Sequence, residues 1–142
     1  MYRDSGREFH LFLCQSMMRS IHLALGDLEE ARNSMEEAMR LSHKNGEKAL
    51  EGSSLVGLGR VFGKSHRESE KVEKCFDEGL SILKSIKLKS WYSQGLMFLG
   101  EFYRDGGQKE KALEHLKGAE ALFQEMGMNY WLDRTREMLG KL

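Results

Sequence analysis

LMFLGEFYRDGGQKEKALEHLKGAEALF, residues 96–123, is the stretch whose reading decides the fold. Leu96, Leu99, Gly100 and Tyr103 recur at spacings of three, one and three, and Ala112, Leu116 and Ala119 at four and three. Both are the spacings of one helix face, and Gly107 breaks the pattern between them. A glycine on the apolar stripe of the first helix lets a second helix lie close against it. Ala112 and Ala119 are small enough to accept that approach, so the unit is a helical hairpin.

Outward from this stretch the pattern repeats. The phrases GREFHLFLCQSMMRS, GEKALEGSSLVGLGR, KLKSWYSQGLMFLGE and GMNYWLDRTREMLGK begin at Gly6, Gly46, Lys87 and Gly127, steps of 40, 41 and 40. The thirteenth and fourteenth residues of each are Met18-Arg19, Leu58-Gly59, Leu99-Gly100 and Leu139-Gly140. A fixed period of this length marks stacked supersecondary units. The expected fold class is all-α, with about seven antiparallel helices in one array over residues 1–142. Its repeats are 6–45, 46–86 and 87–126, followed by a capping helix at 128–141.

The first repeat predicts helices over 8–25 and 28–44, separated by Gly26-Asp27. The second predicts helices over 48–62 and 67–86, with residues 63–67 forming a turn one residue longer than the others, which accounts for the single step of 41. Gly52, Gly57 and Gly59 each cost its first helix about 1 kcal/mol relative to alanine. Gly59 sits at the repeat's small position, whereas Gly52 and Gly57 have no role legible in the sequence, so this helix reads as the softest. Met126-Gly127 reads as a helix C-cap. The last helix, 129–141, places Trp131, Leu132, Thr135, Met138 and Leu139 on one side and charged residues around the other, a polar face suited to ending an array. The first helix, in contrast, is apolar at Phe9, Leu11, Phe12, Leu13, Met17, Met18 and Ile21 with no cap before it. Either the chain is a segment of a longer protein, the reading favoured here, or this helix is a homodimer surface covered by a second subunit.

Composition narrows the function classes. Lys plus Arg and Asp plus Glu both number 22, giving no net positive field for nucleic acid or anionic lipid. Proline is absent, which suits uninterrupted helices. Cys14 and Cys75 stand far apart without metal or disulfide spacing, and no leader or membrane span is recognisable, so a reducing cytoplasm is expected. The five histidines show no four-residue pairing, and no nucleophile has an identifiable base partner. Neither a metal, a cofactor nor an enzymatic activity is expected. GLGRVFGKS at 57–65 fails as a phosphate loop, because Leu58 stands where its first glycine is required and no strand precedes it. The pairs Trp91-Tyr92 and Tyr130-Trp131 open equivalent helices and are expected to fill space between repeats. The nine methionines mostly fall on apolar stripes.

The order Leu96, Leu99-Gly100, Tyr103, Ala112, Leu116 resembles the tetratricopeptide repeat. That resemblance implies a right-handed α-α superhelix, a solenoid whose ligands lie along its concave surface. Carried over position by position, it nominates Ser53, Val56 and Arg60 in the second repeat and Gln94, Met97, Glu101 and Arg104 in the third. Leu13, Ser16, Ser20 and Leu23 are the matching positions in the first. Some members clamp a peptide carboxylate with Lys and Asn on this surface. Here Val56, Met97, Arg60 and Glu101 stand in those places, a departure that disfavours such a clamp. The phrases ALEGSSLVGLG and ALFQEMGMNYWLDR are similar to C-terminal repeat arrays of bacterial class III adenylate or guanylate cyclases and ATP-dependent transcriptional activators. The similarity implies a non-catalytic scaffold that binds a protein or peptide and regulates an attached signalling domain. The alternative is a small-molecule-sensing module.

Ala119 lies where two helices must meet closely. Ala119→Arg is expected to destabilise the chain by several kcal/mol, because it forces a charge and extra volume into that contact. Thermal melting compared with the unsubstituted chain checks this.

Overall fold

The computed structural model describes residues 28–64 and 69–142. Among these residues there are six helices and no strand: α1 Leu28–Asn45, α2 Lys48–Lys64, α3 Ser69–Ser85, α4 Lys89–Asp105, α5 Lys109–Met126 and α6 Asn129–Gly140. The all-helical class is as expected. The predicted helix over 8–25, with its candidate dimer surface, lies outside the described residues, as does most of the predicted turn at 63–67. Gly63 and Lys64 belong to α2 rather than to that turn. Nothing in Gly-Lys stops a helix: there is no proline, and one glycine costs only about 1 kcal/mol.

Four joints share one construction. At the end of α3 the Leu88 N–H donates to the Leu83 carbonyl at 3.0 Å and the Lys87 N–H to the Lys84 carbonyl at 3.1 Å. Met128 and Gly127 repeat this on Phe123 and Gln124, and Gln108 and Gly107 repeat it on Tyr103 and Arg104. Glu47 donates likewise to Ser42 at 2.9 Å. These bonds close carbonyls that a helix C-terminus otherwise leaves open. The middle residue of each joint is left-handed, with φ of 68° at Gly46, 60° at Lys87, 77° at Gly107 and 70° at Gly127. The following residue then starts the next helix: the carbonyls of Glu47, Leu88, Gln108 and Met128 accept from Glu51, Tyr92, Ala112 and Leu132 at 2.9–3.0 Å. One helix ends and another begins with only two or three residues between them. Within the units the chain folds back at these joints, at Gly46 between α1 and α2 and at Gly107 and Gly127 between the helices of the second unit.

The chain divides into two compact units, Met1–Ile82 and Leu83–Leu142. In the first, α2 packs against α1 and α3. A Cβ on Gly57 would strike the Met35 sulfur, one on Gly59 would lie 2.8 Å from the Phe76 ring, and one on Gly79 would lie 2.7 Å from the Gly52 carbonyl oxygen. Gly57 therefore has a packing role that periodicity does not reveal, and Gly52 presents its backbone to another glycine. Every residue of α2 from Gly52 to Gly59 is buried, as suits a helix covered on more than one side.

In the second unit α5 runs antiparallel to α4. The Tyr103 ring lies tilted against His115, Gly100 faces Leu116, Leu96 lies by Gly118, and Lys89 Nζ reaches Glu125 at 2.7 Å. α6 returns along α5, where Arg136 Nε donates to Glu120 at 3.1 Å. Trp131 joins all three helices, with ring centroids 6.1 Å from Phe98 and 6.3 Å from Phe123. Its neighbour Tyr130 is 64% exposed, so only one member of that aromatic pair fills the interior. Leu132, Thr135 and Met138 are buried while Asp133, Arg136, Glu137 and Lys141 are exposed, giving α6 the expected polar outer face. None of the six described methionines is fully exposed, which fits gap-filling rather than an adaptable binding surface.

A Cβ on Gly100 would come within 2.7 Å of Leu116 Cγ and 3.3 Å of its backbone nitrogen. Gly100→Ala is expected to destabilise the chain by ~1–2 kcal/mol net, because overpacking outweighs the ~1 kcal/mol gained in helix propensity. Gly118 meets nothing nearer than 3.7 Å. Gly118→Ala is expected to stabilise by up to ~1 kcal/mol. Urea unfolding of the two variants should therefore shift in opposite directions.

Candidate functional site

The residues nominated on the first helix of each hairpin fall into equivalent pairs: Ser53 with Gln94, Val56 with Met97, and Arg60 with Glu101. Their exposure follows the pairing. Ser53, Val56, Gln94 and Met97 are buried, Val56 and Met97 completely. Arg60 in the first unit, and Glu101 and Arg104 in the second, are half-exposed.

The polar members of the buried set turn back on their own helices. Ser53 Oγ donates to the Leu50 carbonyl at 3.2 Å, and Gln94 Nε2 donates to the Ser90 carbonyl at 3.3 Å. Short polar side chains within a helix satisfy themselves this way when no water reaches them. Val56 is occupied by α3, since a Cβ on Gly79 would lie 3.0 Å from its Cγ2. Four of the seven nominated residues therefore face packed neighbours, because a position's place in a repeat does not say what covers it. The half-exposed members are Arg60 in one unit and Glu101 with Arg104 in the other. Arg104 donates to its neighbour Asp105 from Nε at 3.2 Å and from Nη2 at 3.1 Å, so its guanidinium is held by an exposed carboxylate. Leu13, Ser16, Ser20 and Leu23 lie outside the described residues.

A second feature was not singled out by sequence reasoning. In the second unit a pocket of about 290 Å³ is lined by Leu83, Lys84, Lys87, Lys89, Tyr92 and Leu122. Its only sequence signal is three lysines within KSIKLK at 84–89. The floor is assembled by the joint after α3, the first turn of α4, and Leu122 arriving from α5.

No cluster of His, Cys, Asp or Glu among the described residues could hold a metal ion. His115 Nδ1 sits 2.8 Å from the Lys111 carbonyl, with its ring against Tyr103. On α1, Arg40 donates to Glu37 and holds that carboxyl below its ordinary range.

Cys75 on α3 is half-buried and carries no disulfide. Burial pushes its thiol above the ordinary range, and the charge of Glu78 adds to this against smaller opposing effects of Lys71 and Lys74. A protonated thiol is a poor nucleophile. In a Cys14→Ser background, Cys75 is expected to alkylate more slowly at neutral pH than in urea, with its rate midpoint shifted to higher pH. A raised folded value favours the native state below the unfolded thiol's pKa, and that contribution is lost as pH rises through the folded value. Iodoacetamide labelling against pH checks the shift.

No protein-family model matches the chain, and no curated protein matches it.

Proposed function

We propose that the chain is a non-catalytic interaction module, a repeat scaffold that offers helix faces to a protein or peptide partner. The observation that carries this reading is the recurrence of one joint at Gly46, Lys87 and Gly127 together with the matching exposure on α2 and α4, where Ser53 and Val56 are buried like Gln94 and Met97, and Arg60 is half-exposed like Glu101. Recurring hairpins with buried crossings and half-exposed charged ends are a scaffold's economy: each unit needs only its neighbours, and the residues left over can vary with the partner. On this reading the hairpins continue into a right-handed superhelix, and the chain is the regulatory repeat segment of a bacterial signalling protein. Its neutral charge balance gives no generic attraction to nucleic acid. No described helix is long and apolar enough to cross a membrane. The second reading, small-molecule sensing, draws support from the pocket beside Lys87.

Selection of random peptides on the immobilised chain, followed by titration of the enriched sequences, tests the first reading. Binding is expected to weaken about tenfold or more, equivalent to about 1.4 kcal/mol, in Arg60→Glu or Glu101→Lys. The control Lys117→Glu, on an exposed position of α5, should leave it unchanged. Selection without a consensus, or consensus peptides indifferent to both substitutions, would reject the reading.

A further inference from the structure

We propose that the pocket of the second unit binds a small amphipathic carboxylate, with its apolar body against Leu83, Tyr92 and Leu122 and its anionic end held by Lys84 and Lys87. All six lining residues belong to that unit. The cavity, about 290 Å³, stands at the lower end of the range for small-ligand sites. Its interior is apolar and its basic groups sit on side chains that reach past that interior, so it complements a molecule with one charged end.

The charge is not already spent within the chain. Lys89 is bound to Glu125 at 2.7 Å, but Lys84 and Lys87 are exposed and form no ion pair with the described residues. Two uncompensated ammonium groups three residues apart at the mouth of an apolar pocket attract a single anion.

The backbone supplies an independent observation. Lys87 is left-handed, at φ 60°, in a joint whose counterparts use Gly46, Gly107 and Gly127. That conformation costs an L-residue more than it costs glycine, and the joint's hydrogen bonds involve only its main chain. Glycine would serve the turn better. A strained residue whose side chain lines a cavity points to use of that side chain. Nor does the repeat itself require the basic rim, because the equivalent joint one repeat later has Gln124, Gly127 and Asn129 in the places of Lys84, Lys87 and Lys89. The pocket lies at the N-terminal end of α4, twelve residues or about 18 Å along the helix from Glu101, and the inference does not rest on the protein-binding reading.

The test uses the full chain, ¹⁵N-labelled, titrated with sodium octanoate, octan-1-ol and sodium acetate. Octanoate is expected to give saturable amide shifts clustered at residues 83–92 and at Leu122, and to bind tighter than octanol or acetate. Lys87→Gly should raise the melting temperature while weakening octanoate about threefold, and Lys84→Ala combined with Lys87→Gly should weaken it about tenfold. Stability and binding moving in opposite directions separate a ligand role from a structural one. Octanol binding as tightly as octanoate, scattered shifts, or unchanged affinity in Lys87→Gly would overturn the proposal. A tripeptide ending in a free leucine carboxylate that binds tighter than octanoate would also overturn it, reassigning the pocket to a peptide end.

Discussion

The left-handed residue that follows α1, α3, α4 and α5 is the constraint on which the described structure depends. A helix C-terminus leaves carbonyls without partners, and here two N–H groups from the next two residues close them. The second of those residues already gives its own carbonyl to the following helix. No slack remains in the connection, so within the second unit α5 reverses along α4 and α6 along α5. Side chains at the crossing then have to be small.

That requirement accounts for Gly57, Gly59, Gly79 and Gly100 within helices. Gly59 and Gly100 occupy the same repeat position, yet one faces the ring of Phe76 and the other the side chain of Leu116. The small residue is kept and its large partner varies, as expected if volume at the contact is what matters. Each such glycine weakens its own helix by about 1 kcal/mol, offset by dispersion contacts across the close approach. α2 carries the argument furthest. Propensity alone makes it the softest helix, but it is buried along most of its length, and packing rather than propensity supplies most helical stability in proteins.

What could be read in the sequence follows from whether a signal was local. Gly107 and Gly127 announce their turns because glycine is the usual residue there, and the helices between them show an unbroken 3.6-residue period. Lys87 has no such signature, since a left-handed lysine looks like any other lysine. The role of Gly57 depends on Met35, twenty-two positions earlier. Tyr130 and Trp131 look interchangeable in the sequence, yet adjacent residues on a helix point about 100° apart and only one can face inward. The burial of Val56 and Met97 illustrates the same limit, because a helical stripe identifies a face but not its neighbour. KSIKLK reads as a basic run until Leu122, from the next helix, closes a floor beneath it.

α4 joins the two regions of the second unit to which a function can be attached: the lysine-rimmed pocket at its start, and Glu101 with Arg104 near its end. Sharing a rigid helix does not couple them. A ligand shifts an equilibrium only by its differential affinity for two states, so an occupant of the pocket would change a partner's affinity only if α4 or its joint had two arrangements that both ligands distinguish. Lys87 is the element best placed to provide them. Its side chain belongs to the pocket and its N–H closes the end of α3, so tension on the one is felt by the other. An occupant that fits the joint as it stands would instead stabilise the chain by mass action, about 2.7 kcal/mol at a hundredfold excess over Kd, and leave the far end of α4 indifferent. The choice between a scaffold that merely binds and one that senses thus reduces to whether a strained lysine holds one backbone conformation or two.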